Sequence, residues 1–320
     1  MTSQRFKQVL GLSGAALLLA TGIKARAADT PSTATVPVSI TVTANVAGSK
    51  RMPEIKRDDV IVQQGKSRLT VTGWVPARGN HAGLELFILI DEAADPTLAL
   101  QYAELRSFIN DQPQSTSIGV GYMRNGTVEV AQNLTTDRNL ATKALRIPSG
   151  GSGFPSSPYL SFVDLMKRWP VDTNRREVLM FTDGSGRERH FRGWYRGYHN
   201  DADVDRATAA AQRTGTNVFT IYTSGRTKIA RSRWAIINGQ ANMTRLSEAT
   251  GGTSFYVGFH GPISIGSYLS QLQTMLNNQY LLNFSAKSGK KSGLQSIKLS
   301  TDVAGVELAT HNAVWVAGEK

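Results

Sequence analysis

Two near-continuous apolar runs each end in an aspartate, and they constrain this chain more than any other feature. The first is Leu84-Glu85-Leu86-Phe87-Ile88-Leu89-Ile90-Asp91, and the second is Glu177-Val178-Leu179-Met180-Phe181-Thr182-Asp183-Gly184. Runs of this length without alternation fit central strands of a parallel sheet covered on both faces. Ligands of open α/β sheets bind beyond the carboxyl ends of the strands. Two carboxylates at such ends form the start of a site for a hard cation.

The rest of the chain supports the α/β reading. After the first run, residues 96–110 carry apolar side chains at helical spacing, at Leu98, Tyr102, Leu105, Phe108 and Ile109. A strand pair follows at 117–122 and 127–131 around Arg124-Asn125-Gly126. Helices are expected at 137–145, 158–169, 203–213, 243–250 and 267–278, and further strands at 218–222 and 253–257. The expected fold is a doubly wound, Rossmann-like sheet with helices on both faces and one antiparallel edge pair. Period-two strands precede it at 38–44, 60–63 and 69–75, with Gln64-Gly65-Lys66-Ser67 as a hairpin turn. Strands follow it at 280–284, 294–299 and 306–309. Strands at both ends suggest that the two ends pair into a small β-sandwich. The organisation expected is therefore a signal peptide at 1–27, an N-terminal β unit at 28–80, the α/β domain at 81–279 and C-terminal strands at 280–320.

The signal peptide is read from Arg5 and Lys7, a short apolar stretch from Val9 to Ile23, and Ala25-Arg26-Ala27 as a cleavage site. The stretch is short for a membrane span, and no second apolar run follows. Export to the periplasm or the extracellular space is the expectation. The chain carries a net charge of +12, and removal of residues 1–27 takes away four bases and no acid, leaving +8. Outside the cytoplasm, a basic chain meets acidic proteins, acidic glycans and anionic surfaces rather than nucleic acid. The absence of cysteine excludes disulfides and thiolate metal sites. Five scattered histidines show no close-ligand spacing, and no nucleophile elbow or Walker motif is present.

The order strand–Asp91–helix, then Ser149-Gly150-Gly151-Ser152, then strand–Thr182-Asp183-Gly184 resembles the von Willebrand factor A (VWA) domain. More closely, the chain resembles the VWFA-related family known mainly from Acidobacteria. That likeness rests on Phe181-Thr182-Asp183-Gly184, Asp203-Val204-Asp205-Arg206-Ala207, Thr220-Ile221-Tyr222, Tyr256-Val257-Gly258-Phe259 and Asn278-Gln279-Tyr280-Leu281-Leu282. It runs from about Val38 to Val316. The resemblance implies a metal-ion-dependent adhesion site with Asp91, Asp95, Ser152 and Asp183 as candidate ligands of Mg²⁺ or another divalent cation. Ser156 is the alternative to Ser152.

The motif is altered here. Where VWA domains carry Asp-x-Ser-x-Ser, this chain has Asp91-Glu92-Ala93-Ala94-Asp95. Ala93 offers no oxygen, and Asp95 brings a third carboxylate. Three carboxylates around a divalent cation leave a local charge of −1, which repels an acidic partner group. Asp95 precedes Pro96 and so also fits a helix N-cap with proline at N1.

A loop rich in arginine and aromatics follows the second aspartate strand: Arg187-Glu188-Arg189-His190-Phe191-Arg192-Gly193-Trp194-Tyr195-Arg196-Gly197-Tyr198-His199. A second basic loop runs from Arg226 to Trp234. Both leave strand carboxyl ends, so Arg189, Arg192, Trp194, Tyr195, Arg231 and Arg233 are candidate partner-binding residues. A rim arginine is also placed to neutralise the aspartates in place of a metal. The function expected is non-enzymatic binding of an envelope or extracellular protein through a degenerate adhesion site. The alternatives are acidic-glycan binding through residues 187–199 and metal-dependent hydrolysis.

Overall fold

The structure is a computed structural model that describes residues 34–46, 52–149, 157–170, 174–185, 201–226, 230–255 and 258–318. The expected signal peptide, Ser152, Ser156, Arg189, Arg192, Trp194 and Tyr195 lie outside the described residues. In chain order the first elements are β1 (Thr35–Val46), β2 (Val60–Gln64), β3 (Ser67–Arg68), β4 (Thr70–Pro76) and β5 (Leu84–Asp91). Then come α1 (Tyr102–Asn110), β6 (Thr116–Arg124), β7 (Thr127–Thr135), α2 (Arg138–Lys143), α3 (Pro158–Arg168) and β8 (Arg175–Thr182). They continue as α4 (Asp201–Thr214), β9 (Thr216–Tyr222), α5 (Arg233–Ala249), β10 (Ser254–Phe255) and α6 (Gly266–Asn277). The last are β11 (Gln279–Lys287), β12 (Gly293–Thr301), β13 (Val306–Ala309) and β14 (Ala313–Val316).

The chain is mixed α/β. A six-stranded sheet runs in the order β10-β9-β8-β5-β6-β7. All its neighbours are parallel except β6 and β7, which pair antiparallel. Every residue of β5, β8 and β9 is buried, in keeping with their central apolar runs; the polar residues that open β8 and β9 are buried with them. Side chains of β5 alternate between two cores. Leu86, Ile88 and Ile90 pack in one core with Leu105 and Ile109 of α1 and Leu269 and Leu272 of α6. Phe87 and Leu89 pack in the other with Phe162 of α3, Val204 of α4 and Leu246 of α5. Each such side chain contributes about 1.5–3 kcal/mol on burial.

Strands from both ends of the chain build two further four-stranded sheets, β13-β1-β11-β4 and β14-β12-β2-β3. β1 pairs along its length with β11, from Thr35 opposite Lys287 to Thr43 opposite Gln279. The two sheets share one apolar cluster that includes Val42, Val62, Phe284, Ile297 and Val314. The hairpin turn at 64–67 joins β2 to β3, but the following strand does not stay with it. At Leu69 the chain crosses into the other sheet, where β4 pairs with β11 and Trp74 stacks on Tyr280 at 4.4 Å. β14 was not among the expected strands, and it pairs with β12.

Two helices differ from expectation. Residues 96–101 form a 3-10 turn, and only Tyr102–Asn110 is α-helical. Asp95 caps this turn, and proline at its first position suits a tight start. Helix α5 begins at Arg233, ten residues before the expected start, with Ser232 as N-cap. Gly239 in its middle reads as a breaker, but the contact here needs it. A Cβ at Gly239 would fall 2.1 Å from the Asp183 carbonyl oxygen, and one at Gly184 would fall 2.2 Å from the Gly239 carbonyl oxygen. The two glycines let α5 lie directly on the turn that ends β8. Among the described residues, no helix is long and apolar enough to cross a membrane.

Candidate functional site

The sheet order puts β8 between β5 and β9, so Asp91 and Asp183 end adjacent strands. Both are buried. Asp91 Oδ1 accepts the Ala93 N–H at 2.9 Å, and Oδ2 accepts the Thr182 hydroxyl at 2.9 Å. Asp183 Oδ1 accepts the N–H and hydroxyl of Ser185 at 2.9 and 2.6 Å. Beneath them, Tyr159 of α3 donates its hydroxyl to the Gly184 carbonyl at 3.1 Å. Burial pushes the Tyr159 phenol well up, and the nearby Asp183 and Asp91 charges push it further.

The loops after β5 and β9 meet over the end of β8. Ala94 and Gly225 form an antiparallel bridge. The Asp95 N–H donates to the Ser224 carbonyl at 2.8 Å, and the Arg226 N–H donates to the Ala93 carbonyl at 3.2 Å. This strap passes close to the second aspartate: a Cβ at Gly225 would fall 2.2 Å from Asp183 Oδ2. The approach needs a residue without a side chain, and the sequence supplies one.

Asp95 turns away from the other two carboxylates. Its Oδ1 accepts the Thr97 N–H at 3.0 Å and the Thr97 hydroxyl at 2.7 Å, which makes it the cap of the 3-10 turn. Its Oδ2 pairs with the Arg231 guanidinium, whose Nε also donates to the Gly225 carbonyl at 2.9 Å. Burial pushes the Asp95 carboxyl up, but its bonds to Thr97 and the Arg231 charge outweigh this and hold it below the usual range. The guanidinium side of the pair is half exposed, so solvent screening keeps its contribution to about 0–1 kcal/mol; its consequence is positional. Arg231 locks the strap and occupies Asp95.

Arg233, expected in a loop, is the first residue of α5. Its guanidinium lies 5.6 Å from the centre of the exposed Phe259 ring. Arg231 and Asp95 are therefore a second pair of candidate residues, besides Asp91 and Asp183, that comes together from distant positions. Arg233 sits beside them on a different element.

Sequence reasoning missed a second carboxylate system. Glu92 follows Asp91 and points to the opposite side, as successive residues leaving a strand do. It is buried and pairs with Arg146 Nη2 at 2.5 Å. It also accepts the Ser149 N–H and hydroxyl at 2.5 and 2.7 Å. Burial raises the Glu92 carboxyl, but these bonds and the Arg146 charge more than offset it, so its pKa lies below the usual value. The Arg146 guanidinium stacks 3.8 Å from the Tyr122 ring centre, and the Tyr122 hydroxyl accepts the Arg146 N–H at 2.5 Å. Arg226 reaches the Ser149 carbonyl at 3.4 Å, tying the loop before the Gly/Ser segment to the strap.

Among the described residues, the donor set does not fit a divalent cation of the kind the VWA resemblance implies. Both Asp91 oxygens accept hydrogen bonds from the chain, Asp95 is engaged by Arg231 and Thr97, and Ala93 has no donor atom. The space over Asp183 is crossed by backbone at Gly225.

No protein-family model matches the chain, and no curated protein matches it in sequence. Solved structures similar to it include an aerotolerance-related membrane protein from Bacteroides fragilis, 12% identical over 61% of this chain and 99% of that chain, with a TM-score of 0.45. Another is the ArnB paralog VWA2 from Sulfolobus acidocaldarius, 9% identical over 89% and 76%, with a TM-score of 0.35. A third is the SpRpn10 VWA domain, 13% identical over 59% and 94%, with a TM-score of 0.32. Scores and identities at this level carry no argument for function, which rests on the chain's own geometry.

Proposed function

We propose that this chain is an exported, non-enzymatic recognition protein of the VWA type, from the branch its sequence resembles. In this reading the six-stranded sheet is a doubly wound VWA sheet carried on a β-sandwich made by the two chain ends. Its carboxyl-end face engages an envelope or extracellular protein without a bridging metal. The strand order supports the doubly wound reading. Counted along the sheet from β5, it is the 3-2-1-4-5-6 arrangement, with the switch point between β5 and β8.

The observation that carries the proposal is the strap. The adhesion aspartates stand at the switch point, where a VWA domain presents its metal. Here the bridge between Ala94 and Gly225 crosses Asp183, while Arg231 holds Asp95. A cation at such a site neutralises carboxylates and recruits an acidic group from the partner. In this chain Arg231 takes the first role at Asp95, and the second passes to whatever lies exposed around the strap. Affinity capture from an envelope extract, with and without EDTA, tests this. The same partner should be retained in both conditions and lost in high salt. Loss of capture in EDTA, or Mg²⁺ binding by calorimetry that Asp183→Ala abolishes, would overturn the metal-free reading.

A further inference from the structure

Beside the strap lies a groove of about 350 Å³, lined by Asp95, Thr97, Thr223, Arg231, Phe259 and His260 among others. It opens between the loops that follow β5, β9 and β10. Of its lining, Phe259 is 50% exposed, and large apolar side chains stand in solvent on the flanking segments and on α5: Ile263 is 100% exposed, Leu100 82%, Trp234 59% and Ile237 51%. The segments that carry them are tied together through neighbouring residues. Gln101, next to Leu100, donates to the Pro262 carbonyl next to Ile263. Arg233 lies against Phe259, and Gln240 donates to the Gly258 carbonyl at 2.6 Å. Ile237 lies between Arg233 and Gln240 on that helical face, and Trp234 is three residues before Ile237. A soluble surface that gathers exposed apolar side chains into one patch marks a site of association.

Within the lining Asp95 and Arg231 offset each other, and the further exposed charges on the strap and at the start of α5 are basic. Arg226, Arg231 and Arg233 are exposed. Of the acids, Asp95 is engaged by Arg231, and Glu104 bonds the Ser264 hydroxyl and the Ile265 N–H at 2.7 and 2.6 Å. Two polar atoms of the lining, the Thr223 hydroxyl and Gln101 Oε1, are buried with no hydrogen-bond partner among the described residues. Leu100, Ile237 and Ile263 are aliphatic and offer nothing to a sugar, whereas they suit the side chains of a peptide.

We propose that this groove is a docking site for an acidic peptide segment of a protein partner. Its leucine, isoleucine or phenylalanine side chains would pack on Ile263, Leu100 and Phe259, and its carboxylates would meet Arg226 and Arg233. This deepens the reading of the chain as a recognition protein and rests on it. The site is displaced from the aspartates to the margin of the strap.

The test is selection of a random-peptide display library on the immobilised, purified chain in EDTA, followed by fluorescence anisotropy with the enriched peptides. Enriched sequences should join Asp or Glu to Leu, Ile or Phe. Ile263→Asp and Arg233→Glu should each weaken their binding about tenfold or more. Both positions are exposed, and Trp315→Ala, remote from the groove, should leave binding unchanged. No enrichment, enrichment without that acidic and apolar pairing, or binding insensitive to both variants overturns the proposal. So does binding of a heparin oligosaccharide that both variants abolish while no peptide binds, because the surface is then a glycan site. If peptides bind but depend on Arg192 rather than on Arg233 and Ile263, the groove assignment falls and the protein-recognition reading stands.

Discussion

Replacing Gly225 by alanine tests the strap directly. The added Cβ would stand 2.2 Å from Asp183 Oδ2 and 2.5 Å from the Ala230 Cβ. Carbon atoms in good contact are about 3.5–4.0 Å apart, so one side must move by about 1 Å. Neither neighbour yields readily. The Asp183 carboxylate is held by two bonds from Ser185, and the Ala230 methyl has no rotamer to change. Overpacking of this kind costs about 1–3 kcal/mol. With a urea slope of about 3 kcal/mol/M for a chain of this size, a cost of about 2 kcal/mol lowers the unfolding midpoint by about 0.7 M. The same substitution in an Asp183→Ala background meets Ala230 but no carboxylate. It should cost about 1 kcal/mol less there, a coupling well outside the additivity error of about 0.3–0.5 kcal/mol. Equal costs in the two backgrounds, or an unchanged midpoint for Gly225→Ala alone, would show that the strap does not press on Asp183, and the argument against a cation at that position would fail with it.

Arg146→Met should destabilise by about 3 kcal/mol in chemical denaturation, since it leaves the buried Glu92 without its guanidinium. Adding Glu92→Gln to it should recover part of that loss. Glu177 lies where Arg175, Gln279 and Thr43 join the main sheet to β1 and β11, and burial pushes its carboxyl up to about 8 against the nearby Arg175 charge and the Gln279 bond. A raised folded pKa means that its contribution is full below about 4.5 and is lost as pH rises through about 8, so Glu177→Gln should flatten the decline in thermal midpoint across that window. His311 bonds Asn217 at 3.0 Å and is fully buried, which pushes its imidazole down to about 4. Its contribution is full above about 6.5 and is lost as pH falls toward 4, so His311→Asn should remove part of the acid limb of the same curve.

The parts of the fold legible in the sequence were those that a single element states by itself. The runs ending in Asp91 and Asp183 announce central strands because both their faces are buried, and Asp95-Pro96 announces a cap because cap chemistry is local. The first half of α5 was illegible. Its buried Gly239, Gln240 and Asn242 break the apolar period; the reason for Gly239 lies in the turn at Asp183 and Gly184, and Gln240 bonds the Gly258 carbonyl. The crossing of the chain between two sheets at Leu69 leaves no mark in a pattern of alternation. The pairing of Arg231 with Asp95 spans 136 positions, and nothing local to either residue signals it. Glu92 was overlooked because the motif draws attention to Asp91, yet their adjacency sends the two carboxylates to different partners.

A bridging cation in an adhesion site does two things at once: it cancels the charge of the carboxylates and it holds the loops that carry them. Under the proposed metal-free reading, protein groups would take over these tasks separately. Arg231 offsets the charge of Asp95, while Arg146 offsets that of Glu92 in the separate system on the other side of the strand end. Backbone bonds from Asp95 to Ser224 and from Arg226 to Ala93, with the Arg226 side chain on Ser149, hold the loops. The consequence for recognition is electrostatic. A cation concentrates positive charge at a point reached by one acidic group, whereas arginines at the margin spread it over a surface and leave apolar side chains between them. Binding through such a surface should be indifferent to chelators and graded with salt, and it should tolerate the loss of any one partner carboxylate better than a metal-bridged contact does.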